Sequence, residues 1–267
     1  MIYGLTNTSM RLLKLAFKRE TAMPMLALTF ASATSVVLVV ARILWTGKWG
    51  YSFLVWNLFL AWLPMIFALL ACERYQLASG RDLRFLVLAG AWLLFFPNAP
   101  YIFTDLIHLT TRFYSHFWVD LSLILLCALT GLVLGFVSLY LMQSVVEQML
   151  GRAASWLFIA AVAALSGFGI YVGRFMRFNS WDVLFKPWEV YHGIGNWVAD
   201  PLANPTSLAF PLLFGTFFFI TYLMLYALTH LQPAPPMIVP PRTPAPAPAQ
   251  CRAQNESWPG WHPEKGS

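Results

Sequence analysis

Six long apolar stretches decide what this chain can fold into: Pro24–Leu44, Ser52–Cys72, Phe85–Thr104, Leu121–Met142, Ala153–Gly173 and Leu208–Thr229. Each reaches the roughly 20 residues that a helix needs to cross the hydrocarbon core of a bilayer. Among them only the first holds a formal charge, Arg42. It lies near the end of its stretch, where a long side chain is expected to snorkel to the headgroups. The whole chain is 10% charged, against about 25% for a soluble domain. A soluble core does not come in six such blocks. The fold class is therefore all-α, a polytopic transmembrane bundle of about six helices. The first block starts too late and runs too long for a cleavable signal peptide.

The flanking charge sets the expected orientation, because Lys and Arg gather in short cytoplasmic loops. Arg11, Lys14, Lys18, Arg19, Arg74, Arg81, Arg84 and Arg152 fall on one side, and Arg42, Lys48, Arg112, Arg174, Arg177 and Lys186 on the other. The dense first cluster points to cytoplasmic N- and C-termini. The net charge of +6 flanks membrane spans, so membrane lipids, not nucleic acid, are the expected partners. Cys72, Cys127 and Cys251 are odd in number and scattered, which builds no disulfide framework. Three regions result: a basic N-terminal segment 1–23, a transmembrane domain 24–232 and a Pro/Ala-rich tail 233–267. The tail stretch PAPPMIVPPRTPAPAPAQ has no helical or strand period, and its prolines lock φ and supply no N–H donor. It reads as extended or disordered, solvated chain, or as a ligand for a proline-recognition domain.

Polar residues concentrate at one edge. The third stretch ends in FFPNAPYIFTDLIHL, residues 95–109. Pro97 and Pro100 remove backbone donors, and freed carbonyls at membrane depth need other partners. Asn98 stands between them with a side chain able to serve. A broken helix end with a small polar recess is expected, and an ordinary proline kink is the plain alternative. Asn57, Asp105, His108, Asp120, Arg174, Arg177, Asn179 and Asp182 fall on the same side. Asp105 and His108 are three apart, as are Arg174 and Arg177. If helical, each pair shares a face. The arginines suit phosphate or carboxylate through their planar forks, or simply fix loop packing as ion pairs. Asp105 and His108 form a candidate acid/base pair. Asn57, Asn98, Arg174, Arg177, Asn179 and Asp182 are the candidate ligand-binding residues.

Asp105, His108, His116 and Asp120 could converge on a metal if their connection folds back, but no HExxH and no dense acidic set is present. No metal or cofactor is expected. No Walker loop, GxGxxG or GxSxG occurs, and Ser180 and Ser207 lack an evident base. The connection 174–206 carries Trp181, Trp188, Tyr191 and Trp197. It is expected to lie along the outer surface over the recess, as an aromatic anchor at headgroup level or as a lid.

WNLFLAWLP, FFPNAPYIFTDLIHL and GRFMRFNSWDV together resemble an uncharacterised group of bacterial integral membrane proteins, the domain of unknown function 1361, over about residues 55–226. The matching residues are Trp56, Asn57, Pro64, Pro97, Asn98, Pro100, Tyr101, Asp105, His108, Gly173, Arg174, Arg177, Asn179, Ser180, Trp181 and Asp182. The resemblance implies a multi-pass protein of the bacterial inner membrane and implies no activity. Three functions stay open: a site for a lipid headgroup or other anion, with or without catalysis; a transporter or channel for a small solute; and an assembly factor docking another membrane protein. A fusion after Ser267 tests the orientation. Green fluorescent protein there is expected to fluoresce and alkaline phosphatase to be inactive; the reverse pattern would place both termini outside.

Overall fold

The computed structural model describes residues 22–78, 82–109, 116–199 and 205–229. Most of the basic N-terminal segment, Arg81, Arg112, Cys251 and the Pro/Ala-rich tail lie outside the described residues. Among the described residues there is no strand. The helices are α1 (Ala22–Thr46), α2 (Ser52–Ala78), α3 (Leu83–Phe95), α4 (Asn98–Tyr101), α5 (Phe117–Leu150), α6 (Arg152–Arg174), α7 (Asp182–Phe185), α8 (Pro187–Ala199) and α9 (Pro205–Thr229), with a 3-10 segment at Ile102–Leu109 after α4.

Six spans are long and apolar enough to cross a membrane: α1, α2, the broken unit Leu83–Leu109, α5, α6 and α9. Their apolar residues run all round each helix, which in water would leave large apolar faces uncovered. Phe30, Leu38, Leu157, Leu212 and Leu213 point outward, as residues facing lipid tails do. The protein is thus an integral, multi-pass membrane protein. At 34 residues and about 1.5 Å per residue, α5 is longer than a bilayer core is thick. It is the central and most buried span, while α1 and α9 are peripheral.

Buried apolar residues from α1, α2 and α5 make one cluster around Leu54, Met65 and Ile124. A second joins α2, α3, α5, α6 and α9 around Trp92, Ile159 and Phe218. Buried hydroxyls link helices where no water could: Trp92 Nε1 donates to Ser138 Oγ at 3.2 Å, and Trp62 Nε1 to Ser32 Oγ at 3.1 Å. Such interhelical bonds are typical of membrane bundles. Asp82 caps α3, its Oδ1 accepting from the Phe85 N–H at 2.9 Å. The Arg74 guanidinium beside it holds its carboxyl below the usual carboxylate range.

The expected break of the third span is present. α3 stops at Phe95, and the chain continues through α4 into the 3-10 segment. The Ala99 N–H bonds the Phe96 carbonyl at 3.1 Å, which deprives the Phe95 carbonyl of its regular donor. Asn98 Nδ2 replaces that donor at 3.0 Å. Pro211 poses the same problem inside α9, since it offers no N–H to the Ser207 carbonyl four residues back. Trp197 Nε1 of α8 donates to that carbonyl at 3.3 Å.

One expectation is corrected. Arg42 does not snorkel to the headgroups: its side chain is 10% exposed and turns inward to Asp120. The first turn of α5 begins at Phe117, before the apolar stretch itself, and presents Asp120 within reach.

α6 and α9 approach closely because Gly167 has no side chain. A Cβ there would stand 2.2 Å from the Pro211 carbonyl oxygen, whereas one at Gly90 would meet nothing within 4 Å. Gly167→Ala is expected to destabilise by about 1–3 kcal/mol through overpacking. Gly90→Ala should be neutral or stabilising by up to about 1 kcal/mol from helix propensity. Thermal unfolding of both variants in detergent checks the contrast.

Candidate functional site

At the end of the bundle that holds Arg42, Asp105 and Arg174, two buried carboxylates each face an arginine. Asp105, on the 3-10 segment, is 1% exposed. Its Oδ2 accepts from Asn57 Nδ2 of α2 at 2.8 Å, and its Oδ1 from Arg174 Nη1 at 3.2 Å. Arg174 is the last residue of α6, where the helix dipole favours a cation. Its Nη1 also donates to the Tyr101 hydroxyl at 3.2 Å and its Nη2 to the Thr104 carbonyl at 2.7 Å. A charge this deep is tolerated only with such partners. Gly169 lets α6 sit against Pro97, whose ring carbons would be 2.7–2.9 Å from a Cβ there. That contact brings Arg174 level with Asp105.

His108 Nε2 lies 3.8 Å from Asp105 Oδ1, and its ring packs on Phe53. The distance is an ion-pair distance for a protonated His and too long for a hydrogen bond. Asn98 Nδ2 donates to Ser180 Oγ at 3.0 Å, tying the segment after α6 to the helix break. Together these side chains form the polar end of a cavity of about 690 Å³. Asn57, Asn98, Tyr101, Asp105, His108, Arg174, Asn179 and Ser180 line that end, and Leu93, Leu94, Leu165, Phe168 and Val172 line the rest. Val190 and Ile194 of α8 close one wall, while Trp188 and Tyr191 of the same helix are exposed.

The structure thus brings together Asn57, Asn98, Asp105, His108, Arg174 and Asn179. It does not bring Arg177 to them. The face shared by Arg174 and Arg177 required a continuing helix, but α6 ends at Arg174 and Arg177 adopts a left-handed φ of 59°. Arg177 is exposed and outside the cavity wall. Asp182 is also off the wall. Its Oδ2 accepts from the Asn179 N–H at 2.6 Å and so closes a turn. Asp120 forms a separate network: its Oδ1 accepts from Arg42 Nε at 2.7 Å, and its Oδ2 from Tyr51 OH at 2.9 Å. Asp105 and Asp120, grouped by their spacing as possible co-ligands of one metal, are therefore held by different arginines.

Thr104 was not singled out in the sequence, and Tyr101 and Ser180 were given no role from their chemistry. A usable signal existed for two of them. Tyr101, Thr104, Asp105 and His108 fall at i, i+3, i+4 and i+7, the spacing of one helical face.

Hydrogen-bond accounting shows what this end offers. A guanidinium has five N–H donors. The Nε–H of Arg174 and one of its Nη2 hydrogens have no acceptor among the described residues. Tyr101 and Ser180 each accept a bond through their hydroxyl oxygens, which leaves their own hydrogens to donate. The cavity end therefore offers donors from Arg174, Tyr101 and Ser180 beside the amide oxygens of Asn57, Asn98 and Asn179, and its one carboxylate is already bonded.

The fold is that of an integral membrane protein, and it holds a buried ion pair beside a half-apolar cavity. The family model described as "Protein of unknown function (DUF1361)" matches residues 56–222, more than half of the chain, and the chain belongs to that family. No curated protein and no solved structure matches it.

Removing one partner of a buried ion pair leaves the other charge uncompensated, at about 3–5 kcal/mol. Arg174→Met and Asp105→Leu are each expected to lower the thermal midpoint sharply. The double variant should recover most of the loss, because no orphan charge remains. Unfolding curves in one detergent measure the coupling.

Proposed function

We propose that this protein binds an anionic ligand, a lipid headgroup in the first place, at the polar end of the cavity. One observation carries the reading: Arg174, 18% exposed, keeps two N–H donors without a protein acceptor among the described residues, on the cavity wall. The Tyr101 and Ser180 hydroxyls stand on the same wall. Several donors around one space favour a group with several acceptor oxygens, and guanidinium binds phosphate and carboxylate in two-pronged fashion. Asp105 balances the charge of Arg174, so recognition rests on directed donors more than on net charge. Asp105 also holds the guanidinium in place. His108 adds positive charge when protonated and, with Asp105, is the candidate acid/base pair should the bound group be turned over. The flanking charges support a cytoplasmic membrane with this end of the bundle on the outer side.

Native mass spectrometry in mild detergent tests the proposal. Arg174→Lys is the informative variant: it keeps the charge beside Asp105 and loses the fork. A phosphate- or carboxylate-bearing molecule is expected on the wild type and on Arg177→Ala. Occupancy in Arg174→Lys should fall about tenfold or more, as the loss of a charge-assisted bond of about 1.5–3 kcal/mol requires. Equal occupancy in all three proteins, or none in the wild type, would overturn the proposal.

A further inference from the structure

The cavity does not end at its donors. It continues along α3 and α6 past Leu94 and Val172 to Gly90 and Leu165, about 13 Å from Arg174 at about 1.5 Å per residue of α6. This lower part is apolar. Gly90 and Leu165 are exposed as well as lining it, so here the space is a cleft open on the flank of the bundle. An apolar space of this kind holds water poorly.

Gly90 is the informative residue. Glycine is the weakest helix former after proline, and within a span it usually serves close helix contact. Gly167 and Gly169 do so, since a Cβ on either would meet a neighbour at under 3 Å. A Cβ on Gly90 would meet nothing within 4 Å, so no packing contact requires glycine there. What the missing side chain leaves is room in the cleft. On the outer rim, Trp56 lines the cavity, is itself exposed, and meets Trp181 edge to face with ring centroids 6.2 Å apart. Paired indoles suit the level of the headgroups.

We infer that the ligand is an amphiphile: its acidic head lies on the Arg174 donors, and one long apolar chain runs down the cleft beside Gly90 and reaches the surrounding lipid sideways. This rests on the proposed binding of an anionic group at Arg174 and adds the second half of the molecule. The head would be met by donors at the broken end of the third span. The chain would pass between α3 and α6, where only aliphatic and aromatic side chains line the way.

Two probes with the same phosphate separate the halves: oleoyl lysophosphatidic acid carries a chain, and glycerol 3-phosphate has none. Binding to the full chain in mild detergent is read by native mass spectrometry for the wild type, Gly90→Leu, Gly90→Trp and Arg174→Lys. The open space at Gly90 lets both substitutions there fill the cleft without touching the core, and Gly90→Leu is the smaller step should the indole disturb folding. The wild type is expected to bind the lysolipid at least about tenfold more tightly than glycerol 3-phosphate. Gly90→Leu and Gly90→Trp should lose most of that advantage and leave glycerol 3-phosphate unchanged. Arg174→Lys should weaken both probes. Wild-type affinity for the lysolipid in folded Gly90→Leu and Gly90→Trp, with Arg174→Lys still impaired, would overturn the chain placement and leave the headgroup site standing. A wild type that binds neither probe would overturn both.

Discussion

The buried pair of Asp105 and Arg174 is the constraint around which this end of the molecule is arranged. Neither charge could stand alone at such depth. Each is met by further groups: Asn57 on the carboxylate, and the Tyr101 hydroxyl and Thr104 carbonyl on the guanidinium. These partners come from α2, from the broken third span and from the end of α6. Three segments that share mostly apolar contacts elsewhere are thus fixed in one register by a few directed bonds. In a membrane, burial against lipid-like neighbours discriminates weakly between packings, so directed bonds of this kind decide which one forms.

The break in the third span makes that arrangement possible. A continuous helix through residues 95–109 would advance about 1.5 Å per residue. The α4 and 3-10 segments after Pro97 instead change the pitch and present Asp105 to Asn57 of α2. The cost of a break is orphaned carbonyls, and the same solution appears twice. Asn98 answers the Phe95 carbonyl while holding Ser180, and Trp197 answers the Ser207 carbonyl freed by Pro211. Each repair also fastens part of the chain between α6 and α9, the first at Ser180 and the second on α8. Backbone accounting therefore explains why α8 lies where it walls the cavity.

Much of this could be read from the residues. The six spans follow from apolar length alone, and the described residues hold six. The break at Pro97 and the role of Asn98 followed from missing donors, which is local chemistry. The gathering of Asn57, Asp105, His108 and Arg174 was legible because polar residues are so sparse in the spans. What failed was pairing and helix extent. Arg42 looked like a snorkelling residue because its partner Asp120 is 78 positions away, and no spacing rule reaches across separate helices. The Arg174–Arg177 face failed because the end of α6 is set by contacts with other segments, which helical spacing does not contain. The tie between Ser180 and Asn98 has no sequence signal, because the two lie on separate segments.

Two arginine–aspartate pairs stand at the same end of one bundle, and their surroundings differ. Arg42 and Asp120 bond each other twice, with Tyr51 closing the second oxygen. The groove beside them is walled by Leu38, Trp45, Trp118, Leu126 and other apolar residues. Its other polar side chain, Ser122, donates back to its own helix at the Trp118 carbonyl. Arg42 likewise keeps N–H hydrogens with no acceptor among the described residues, so free donors alone do not separate the two pairs, and this one braces α1 against α5. Asp105 shares itself between Arg174 and Asn57, and the guanidinium is met by a phenol and a backbone carbonyl. The surrounding wall adds two asparagines, the Ser180 hydroxyl and a histidine. The second pair is therefore the one set in a polar wall that is continuous with an aliphatic cleft.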